Sequence, residues 1–290
     1  MEYQEFEKAV IKELGAKMGE GYRFHRNRVS KNNGLILDGL SICSGDSGIF
    51  PTIYLNRYYE MFDSEMTLEE IVDNILTLYE EYAQKPIIRA DRFSDFADLK
   101  NRVVYKLVNH EKNKELLESV PHLDYLDLAM VFYLTMGSSQ EGEITVLIME
   151  GHLKQWRVDR NEIYRLAVKN TEQIYPCTIK SMRQVLKEMF KIKLGKELYE
   201  EERLEECLLE EGGKELYVMT NDQGLNGAAC ILYPDVLKQF SEKMASDLVI
   251  LPSSIHEVLL IPIYDEMDYE ELQAMVKLIN EQEVAMEDVL

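Results

Sequence analysis

Cysteine, basic side chains and long apolar runs are all scarce in this chain of 290 residues. Its four cysteines, Cys43, Cys177, Cys207 and Cys230, have no C-x-x-C spacing, which argues against a zinc ribbon or a disulfide framework. We therefore expect reduced thiols in a cytoplasmic protein. The acidic start of the chain lacks the basic and apolar regions of a signal peptide. No apolar run approaches the roughly 20 residues of a membrane helix, so we expect no membrane attachment.

The shortage of positive charge excludes a further class of function. The chain has 32 Lys and Arg against 53 Asp and Glu, a formal net charge of −21. Nucleic-acid binders concentrate basic side chains to displace counterions from phosphates, so we expect no direct nucleic-acid binding. The densest basic segment, residues 23–28, is typical of a solvent-facing strand. The apolar fraction of 46% is that of an ordinary globular protein with a core.

The first 88 residues have the pattern of a small α-β-β-β-α lobe. Apolar residues recur at helical spacing from Tyr3, and Lys31 to Gly34 form a turn that predicts a hairpin between two strands. Thr67 and Glu70 have the capping-box spacing that begins a second helix. The three predicted strands of this lobe are residues 22–28, 35–43 and 49–58. We expect residues 1–88 to fold as a unit.

Residues 95–290 predict a larger lobe of mainly antiparallel sheet covered by helices. Strands and helices do not alternate one for one, so the sequence favours an α+β fold. Asp159 begins one predicted helix, residues 178–190 a second, residues 227–244 one helix or two, and the acidic stretch 191–211 an exposed helical connector. The predicted strands are residues 102–109, 124–136, 143–149, 215–220, 247–251 and 257–263.

The last three predicted strands should share one sheet. Residues 252–256 are too few for a parallel crossover, so the strands on either side of them should be antiparallel. The strand 215–220 should lie beside one of them, because its following helix returns over the sheet. We favour an orientation parallel to residues 247–251. That orientation brings the loop after residue 220 and the turn after residue 251 to the same end of the sheet.

The 221–227 loop is the first segment that could contact a ligand. A strand ends, a glycine-bearing loop follows, and a helix opens on small residues, so Asn221, Asn226 and Gly227 are candidate ligand-binding residues. The loop lacks the G-x-G-x-x-G order and the lysine of phosphate loops. A helix capped by Asn226 after a glycine turn explains the same residues by structure alone. Both interpretations stay open.

The turn before the last predicted strand holds the candidate catalytic residues Ser253, His256 and Glu257. A hydroxyl, an imidazole and a carboxylate close together suggest nucleophilic catalysis, although neighbours in sequence rarely reach one another as a triad requires. The structural alternative is a hairpin in which Ser253 and Ser254 bond local backbone. His256 and Glu257 would then point to opposite faces of the next strand. The five histidines have no ligand spacing, so we predict no metal and no cofactor.

Several phrases of the chain resemble those of one bacterial family. They are Tyr-Val-Met-Thr-Asn from Tyr217, Asn-Gly-Ala-Ala from Asn226, Leu-Tyr-Pro from Leu232, and Leu-Pro-Ser-Ser-Ile-His-Glu-Val from Leu251. The chain is similar in these segments to an uncharacterised domain-of-unknown-function family of clostridia and their relatives. The similarity extends upstream and covers much of the chain. The resemblance implies a family and no activity, cofactor or catalytic residue.

Three functional hypotheses follow from the sequence. The first is a cytoplasmic module that binds a protein or small-molecule partner without conventional catalytic machinery. The second is a hydrolase or transferase whose site joins the 221–227 loop to the 253–257 turn, which requires an accessible His256. The third is a nucleic-acid mimic that binds a basic protein, which rests on the net charge of −21 and requires rows of acidic side chains.

Overall fold

The computed structural model describes residues 1–44, 52–62, 64–84, 93–139, 142–194, 216–263 and 267–290. The combination of helices with antiparallel sheets confirms the α+β class. The chain divides into two compact units, one of Met1–Arg102 with Leu134–Val158, the other of Val103–Tyr133 with Asp159–Leu290. Independent folding of residues 1–88 and of residues 95–290 stays a prediction. Within the described ranges, no helix has the length and apolar content needed to cross a membrane.

Helices and strands are interspersed along the described part of the chain. The helices are α1 (Tyr3–Met18), α2 (Leu55–Met61), α3 (Leu68–Gln84), α4 (Phe96–Leu99), α5 (Lys114–Leu117), α6 (Glu150–Trp156), α7 (Arg160–Ile174), α8 (Met182–Leu194), α9 (Val236–Met244) and α10 (Tyr269–Gln282). The strands are β1 (Tyr22–Ser30), β2 (Ile36–Ser44), β3 (Thr52–Tyr54), β4 (Val103–Asn109), β5 (His122–Tyr125), β6 (Leu128–Ser139), β7 (Gly142–Leu147), β8 (Cys177–Ser181), β9 (Tyr217–Asn221), β10 (Leu248–Pro252) and β11 (Val258–Pro262). Short 3-10 helices include Gly227–Leu232 and Met286–Asp288.

The first sheet has the order β1-β2-β3, and the predicted hairpin between β1 and β2 is confirmed. Asn33 and Gly34 take positive φ in its turn, a conformation that these two residue types tolerate. Thr67 and Glu70 form the predicted capping box, since the Glu70 carboxylate accepts from the Thr67 amide and the Thr67 hydroxyl accepts from the Glu70 amide. Helix α1 buries Phe6 in the core that it shares with α2 and α3.

The third predicted strand, residues 49–58, is largely wrong. Only Thr52–Tyr54 form a strand, and helix α2 follows directly; residues 49–51 lie outside the described residues. Leu55 and Tyr58, three apart on α2, are both buried against the first core. That spacing places two apolar side chains on one helix face, and burial of this face outweighs the strand propensity of the tyrosines.

The predicted strand 124–136 is two strands. β5 and β6 pair antiparallel, and Tyr125 lies opposite Leu128 across a two-residue turn. Leu126 has a φ of 55° in this turn and is almost fully exposed. Leucine rarely adopts that conformation, and an Asn-Gly pair, the usual signal of a two-residue hairpin turn, is absent here. The sequence therefore does not mark the hairpin. β6 also pairs with β4 and with β7.

The last sheet has the order β10-β11-β9-β8. The predictions for its three C-terminal strands are confirmed: β10 and β11 are antiparallel, and β9 lies beside β11. β9 is antiparallel to β11, so it runs in the same direction as β10, as favoured. The 227–244 region is two helices separated near Pro234, which the sequence also allowed.

The predicted helix 178–190 is wrong in its first turn, where the chain forms β8 instead. Cys177 to Ser181 pair with β9, and helix α8 begins only at Met182. Ser181 and Gln184 form a reciprocal capping box, in which each side chain accepts from the other residue's amide. Helix α8 extends to Leu194, and residues 195–211 of the predicted acidic connector lie outside the described residues.

Candidate functional site

The 221–227 loop and the 253–257 turn meet at one end of the last sheet. The Thr220 hydroxyl donates to the His256 carbonyl at 2.8 Å, and the Ala228 amide donates to the Ile255 carbonyl at 3.2 Å. We call this contact region the loop–turn junction, formed by Thr220 to Ala228, Ser254 to Glu257 and Asp288. The orientation of β9 relative to β10 therefore has the consequence expected from the sequence.

Asn221 holds the loop closed from inside. Its side chain is buried; Oδ1 accepts from the amides of Gln223 at 3.0 Å and Leu225 at 3.3 Å. Its Nδ2 donates to the Leu225 carbonyl at 2.7 Å. These bonds use both lone-pair directions of the oxygen and one of the two amide protons. The amide of Asn221 thus organises its own loop.

Gly227 lies where three segments approach one another. A Cβ built on it would lie 2.5 Å from the His256 carbonyl oxygen and 2.7 Å from the Asn221 nitrogen, and would also overlap the Thr220 hydroxyl. No other side chain fits at this position without moving backbone. Asn226, the preceding residue, has a φ of 54°, and its side chain lies 3.5 Å from the Tyr133 hydroxyl. Both residues therefore have structural reasons for their identity.

Both ring nitrogens of His256 have partners. Nδ1 accepts from the Asn226 amide at 3.1 Å, and Nε2 lies 3.1 Å from Asp288 Oδ1. An Nδ1 that accepts from a backbone amide carries no proton, so the neutral ring has its proton on Nε2 and donates it to Asp288. The His256 side chain is 31% exposed. It is accessible, as the enzyme hypothesis requires, but its lone pair is already used by the loop.

The hydrogen-bond partners of the imidazole ring do not include the other candidate catalytic residues, Ser253 and Glu257. Ser254 Oγ accepts from the His256 amide at 3.1 Å, and the Ser254 amide donates to the Glu257 carbonyl at 3.1 Å. These are the local turn bonds that the structural alternative predicts for Ser254. The ring nitrogens contact Asn226 and Asp288 rather than Ser253 or Glu257. His256 and Glu257 lie in the turn before β11, so their predicted placement on opposite faces of a strand is wrong.

Asp288 is the junction residue that sequence reasoning missed. It lies in the 3-10 helix Met286–Asp288, near the end of the chain, and its backbone carbonyl accepts from the Ile255 amide at 2.7 Å. Through this bond and the contact with His256, Asp288 stabilises the 253–257 turn. Nothing local in the sequence marks this pairing, because the two residues are 32 positions apart.

Two buried tyrosines support the 3-10 helix that follows the loop. The Tyr105 hydroxyl donates to the Ala229 carbonyl at 3.1 Å, and the Tyr233 hydroxyl donates to the Tyr175 carbonyl at 2.9 Å. Burial raises the pKa of Tyr105 and of Tyr233, so both stay protonated donors. Each phenol therefore donates a hydrogen bond to a backbone carbonyl in the buried interior.

A second cluster of titratable side chains lies at the β5 end of the second sheet. His110 Nε2 is 3.3 Å and His122 Nε2 is 3.8 Å from the same Asp124 oxygen. His122 also lies 3.0 Å from the Val120 carbonyl through Nδ1. Nowhere in the described part of the chain do three His, Cys, Asp or Glu side chains converge closely enough to hold a metal ion. The three residues form a polar cluster in which the Asp124 carboxylate faces both imidazole rings.

The chain as a whole matches one family model, over residues 3–290. It belongs to the family of unknown function DUF5688. Searches of curated proteins and of solved structures gave no significant match. The DUF5688 match confirms the family type that the sequence phrases indicated, and it brings no activity. Chemistry must therefore be argued from the residues themselves.

Proposed function

We propose that this protein is a cytoplasmic protein-binding module without conventional catalytic machinery, and that helix α10 carries its binding surface. The observation that carries the proposal is that α10 has no buried residue although it is rich in apolar side chains. An apolar helix face that the described part of its chain leaves exposed is typical of an interaction site. Free thiols at Cys43, Cys177 and Cys230 support a reducing compartment.

Three apolar side chains define the surface. Met275, Leu278 and Ile279 are 42%, 52% and 40% exposed, and we call them the α10 patch. Positions i, i+3 and i+4 of a helix lie on one face, so these side chains are neighbours. The half-buried Leu272 and Val276 lie on an adjacent face. The spacing of the patch is that of the anchor residues in helix-in-groove recognition.

Charge indicates the chemistry of the partner. Helix α10 is acidic, with Glu270, Glu271 and Glu281 against Lys277 as its single basic residue. The whole chain adds a net charge of −21. Such a surface attracts basic proteins and repels acidic ones. The occupant we infer is therefore a protein with an apolar groove bordered by Lys and Arg.

The alternative, a hydrolase or transferase at the loop–turn junction, is less well supported. The junction does bring the 221–227 loop to His256, and that side chain is partly exposed. Its Nδ1 lone pair, however, accepts from the Asn226 amide, and its Nε2 proton faces Asp288. A general base needs a free lone pair within reach of the substrate proton. His256 would have to break one of these two contacts before acting as a base.

Differential capture tests the binding proposal. The full chain is immobilised and exposed to a native lysate, in parallel with two double variants of α10. The patch variant carries Met275→Gln and Leu278→Gln, which keep helix propensity and remove apolar surface. The control variant carries Gln273→Ala and Ala274→Gln, two exposed positions outside the patch. Circular dichroism verifies that all three proteins are equally folded.

We expect a protein that the wild type and the control retain, that the patch variant loses, and that raised salt releases. Salt release identifies the basic border, because screening weakens exposed charge pairs. Equal recovery by all three chains, or no recovery, overturns the proposal. Sedimentation analysis provides a second decision. If the wild type is a dimer that the patch variant dissociates, the occupant is a second copy of this chain and the basic partner is excluded.

A further inference from the structure

Two of the scattered cysteines meet in the folded protein, at the base of the loop–turn junction. Cys177 is the first residue of β8 and lies opposite Asn221 of β9. Cys230 lies in the 3-10 helix Gly227–Leu232, and its Sγ is 3.4 Å from the carbonyl oxygen of Thr220, the neighbour of Asn221. Both cysteines therefore lie against the Thr220–Asn221 segment of β9. The sequence does not reveal this pair, since its members are far apart along the chain.

The two thiols differ in accessibility. Cys230 is fully buried, whereas Cys177 is half-buried. An oxidant from solution therefore reaches Cys177 first, and Cys230 is the thiol held next to it. This is the arrangement of an attacking and a resolving cysteine in redox-sensitive sites.

We propose that Cys177 and Cys230 are a thiol pair that a peroxide oxidises to a reversible disulfide. In the first step the Cys177 thiolate attacks hydrogen peroxide; an S–O bond forms, the O–O bond breaks, and hydroxide leaves. In the second step the Cys230 sulfur attacks the Cys177 sulfenic acid; the S–S bond forms and water leaves with the Cys230 proton. One peroxide is reduced to two waters as two thiols lose two electrons and two protons.

The electrostatics of the pair agree with this order of events. The neighbouring Cys230 thiol lowers the pKa of Cys177. The neighbouring Cys177 thiol, together with burial, raises the pKa of Cys230. The thiolate is the reactive form of cysteine, so the accessible member of the pair is also the more nucleophilic one.

The disulfide would act on the loop–turn junction. It would tie β8, the strand paired with β9, to the 3-10 helix that begins at Gly227, so that the element after the loop is joined covalently to the sheet before it. A cross-link of this kind restricts the unfolded chain and opposes separation of the elements that it joins. We therefore expect oxidation to raise the midpoint of thermal unfolding, and a dithiol to reverse the rise.

Peptide mapping of the full chain tests the proposal. The reduced protein is treated with hydrogen peroxide at neutral pH, digested without reduction and analysed by mass spectrometry. We expect a cross-linked peptide pair containing Cys177 and Cys230, which dithiothreitol removes. Cys43→Ser is the matched control and should form the same cross-link. Cys230→Ala should instead carry sulfinic or sulfonic acid at Cys177, because no resolving thiol is present.

Alkylation gives a readout that requires no variant. Iodoacetamide should modify Cys177 in the reduced wild type, modification should be lost after oxidation, and dithiothreitol should restore it. In Cys230→Ala the alkylation profile of Cys177 should move to higher pH, since the neighbouring thiol that lowers its pKa is gone. Peroxide treatment that leaves Cys177 alkylatable, or that over-oxidises it in the wild type without a cross-link to Cys230, overturns the proposal.

Discussion

The substitution Gly227→Ala should open the loop–turn junction. The added methyl group would lie 2.5 Å from the His256 carbonyl oxygen and 2.7 Å from the Asn221 nitrogen. Carbon atoms do not approach backbone atoms this closely, so either the loop or the turn must move. Neither neighbour is the flexible end of a side chain. The strain therefore cannot be relieved by a change of rotamer.

The expected cost follows from the contacts that a displaced junction loses. Movement of the turn breaks the hydrogen bond from Thr220 to the His256 carbonyl and the one from the Asn226 amide to the ring. Each contributes about 1 kcal/mol net. Disturbed packing of the buried helix beyond Gly227 adds about 1–2 kcal/mol. We expect a total of about 3–4 kcal/mol, concentrated in the second unit.

Hydrogen exchange measured by mass spectrometry reports this loss where it occurs. Amides in peptides covering residues 220–232 and 253–258 should lose protection by a factor of about one hundred or more, since about 1.4 kcal/mol corresponds to a tenfold change. The single tryptophan, Trp156, lies in the first unit, so its fluorescence is not a suitable probe for the junction. Peptides from α1 to α3 serve as the internal reference, because the first unit should be unaffected.

Gly224→Ala is the matched control, in the same loop and with the same added methyl group. No atom lies within 4 Å of a Cβ at Gly224, although its φ of +67° is unfavourable for alanine. That conformational penalty is about 1–2 kcal/mol. Gly227→Ala should therefore reduce protection more than Gly224→Ala does. Equal losses, or a neutral Gly227→Ala, would refute the argument that close approach at the junction requires glycine.

Three further predictions concern single side chains. Leu126→Asn should stabilise the protein by up to about 1 kcal/mol in urea unfolding, because Asn tolerates positive φ and the exposed leucine loses no packing; destabilisation would contradict this. Tyr233→Phe should cost about 1–2 kcal/mol in the same assay, since it removes the buried hydrogen bond from the Tyr233 hydroxyl to the Tyr175 carbonyl; an unchanged midpoint would contradict it. The two Thr67 hydrogen bonds lower the pKa of Glu70, so their stabilisation is present above the ordinary glutamate pKa and lost as pH falls through the lowered one. Thr67→Ala should weaken this acid dependence in thermal unfolding followed by circular dichroism, and an unaltered profile would count against it.

Local chemistry explains the parts of the fold that could be predicted. The capping box at Thr67 and the N-cap at Asp159 each depend on residues within one helical turn, and both form. The β1–β2 hairpin depends on a turn with two residues that accept positive φ. The orientation of β9, β10 and β11 could be inferred because short connections leave few topologies.

The failures occur where distant partners decide the local structure. Residues 177–181 form β8 because β9 lies beside them, and a single sequence gives no view of that neighbour. A local signal was available at this point, since Ser181 and Gln184 have the capping-box spacing that marks the true start of α8. No comparable signal marks the hairpin at Leu126, whose residue type argues against the conformation that it adopts.

The candidate site shows the same division. Strand direction predicted that the 221–227 loop and the 253–257 turn would meet, and the hydrogen bond from the Asn226 amide to His256 confirms it. What each side chain contacts there could not be predicted. His256 is oriented by Asp288, a residue separated from it by the whole of β11 and α10. The proximity of Ser253, His256 and Glu257 in sequence gives no information about such a contact. In the structure the ring nitrogens of His256 bond to Asn226 and Asp288 instead.

The phrases that mark the family and the surface that we propose for binding have different physical roles. Asn221 and His256 form hydrogen bonds within the chain, and Gly227 allows a close approach of backbone segments. The α10 patch, in contrast, leaves apolar side chains exposed to water, and the partner that we propose would cover them. A net charge of −21 would speed the approach of a basic partner over long distances, whereas the patch would determine how long the partner stays. The loop–turn junction, which contains the family's sequence phrases, has a structural role, whereas the proposed binding surface lies on α10. A recognisable motif and a binding site can therefore be different parts of one chain.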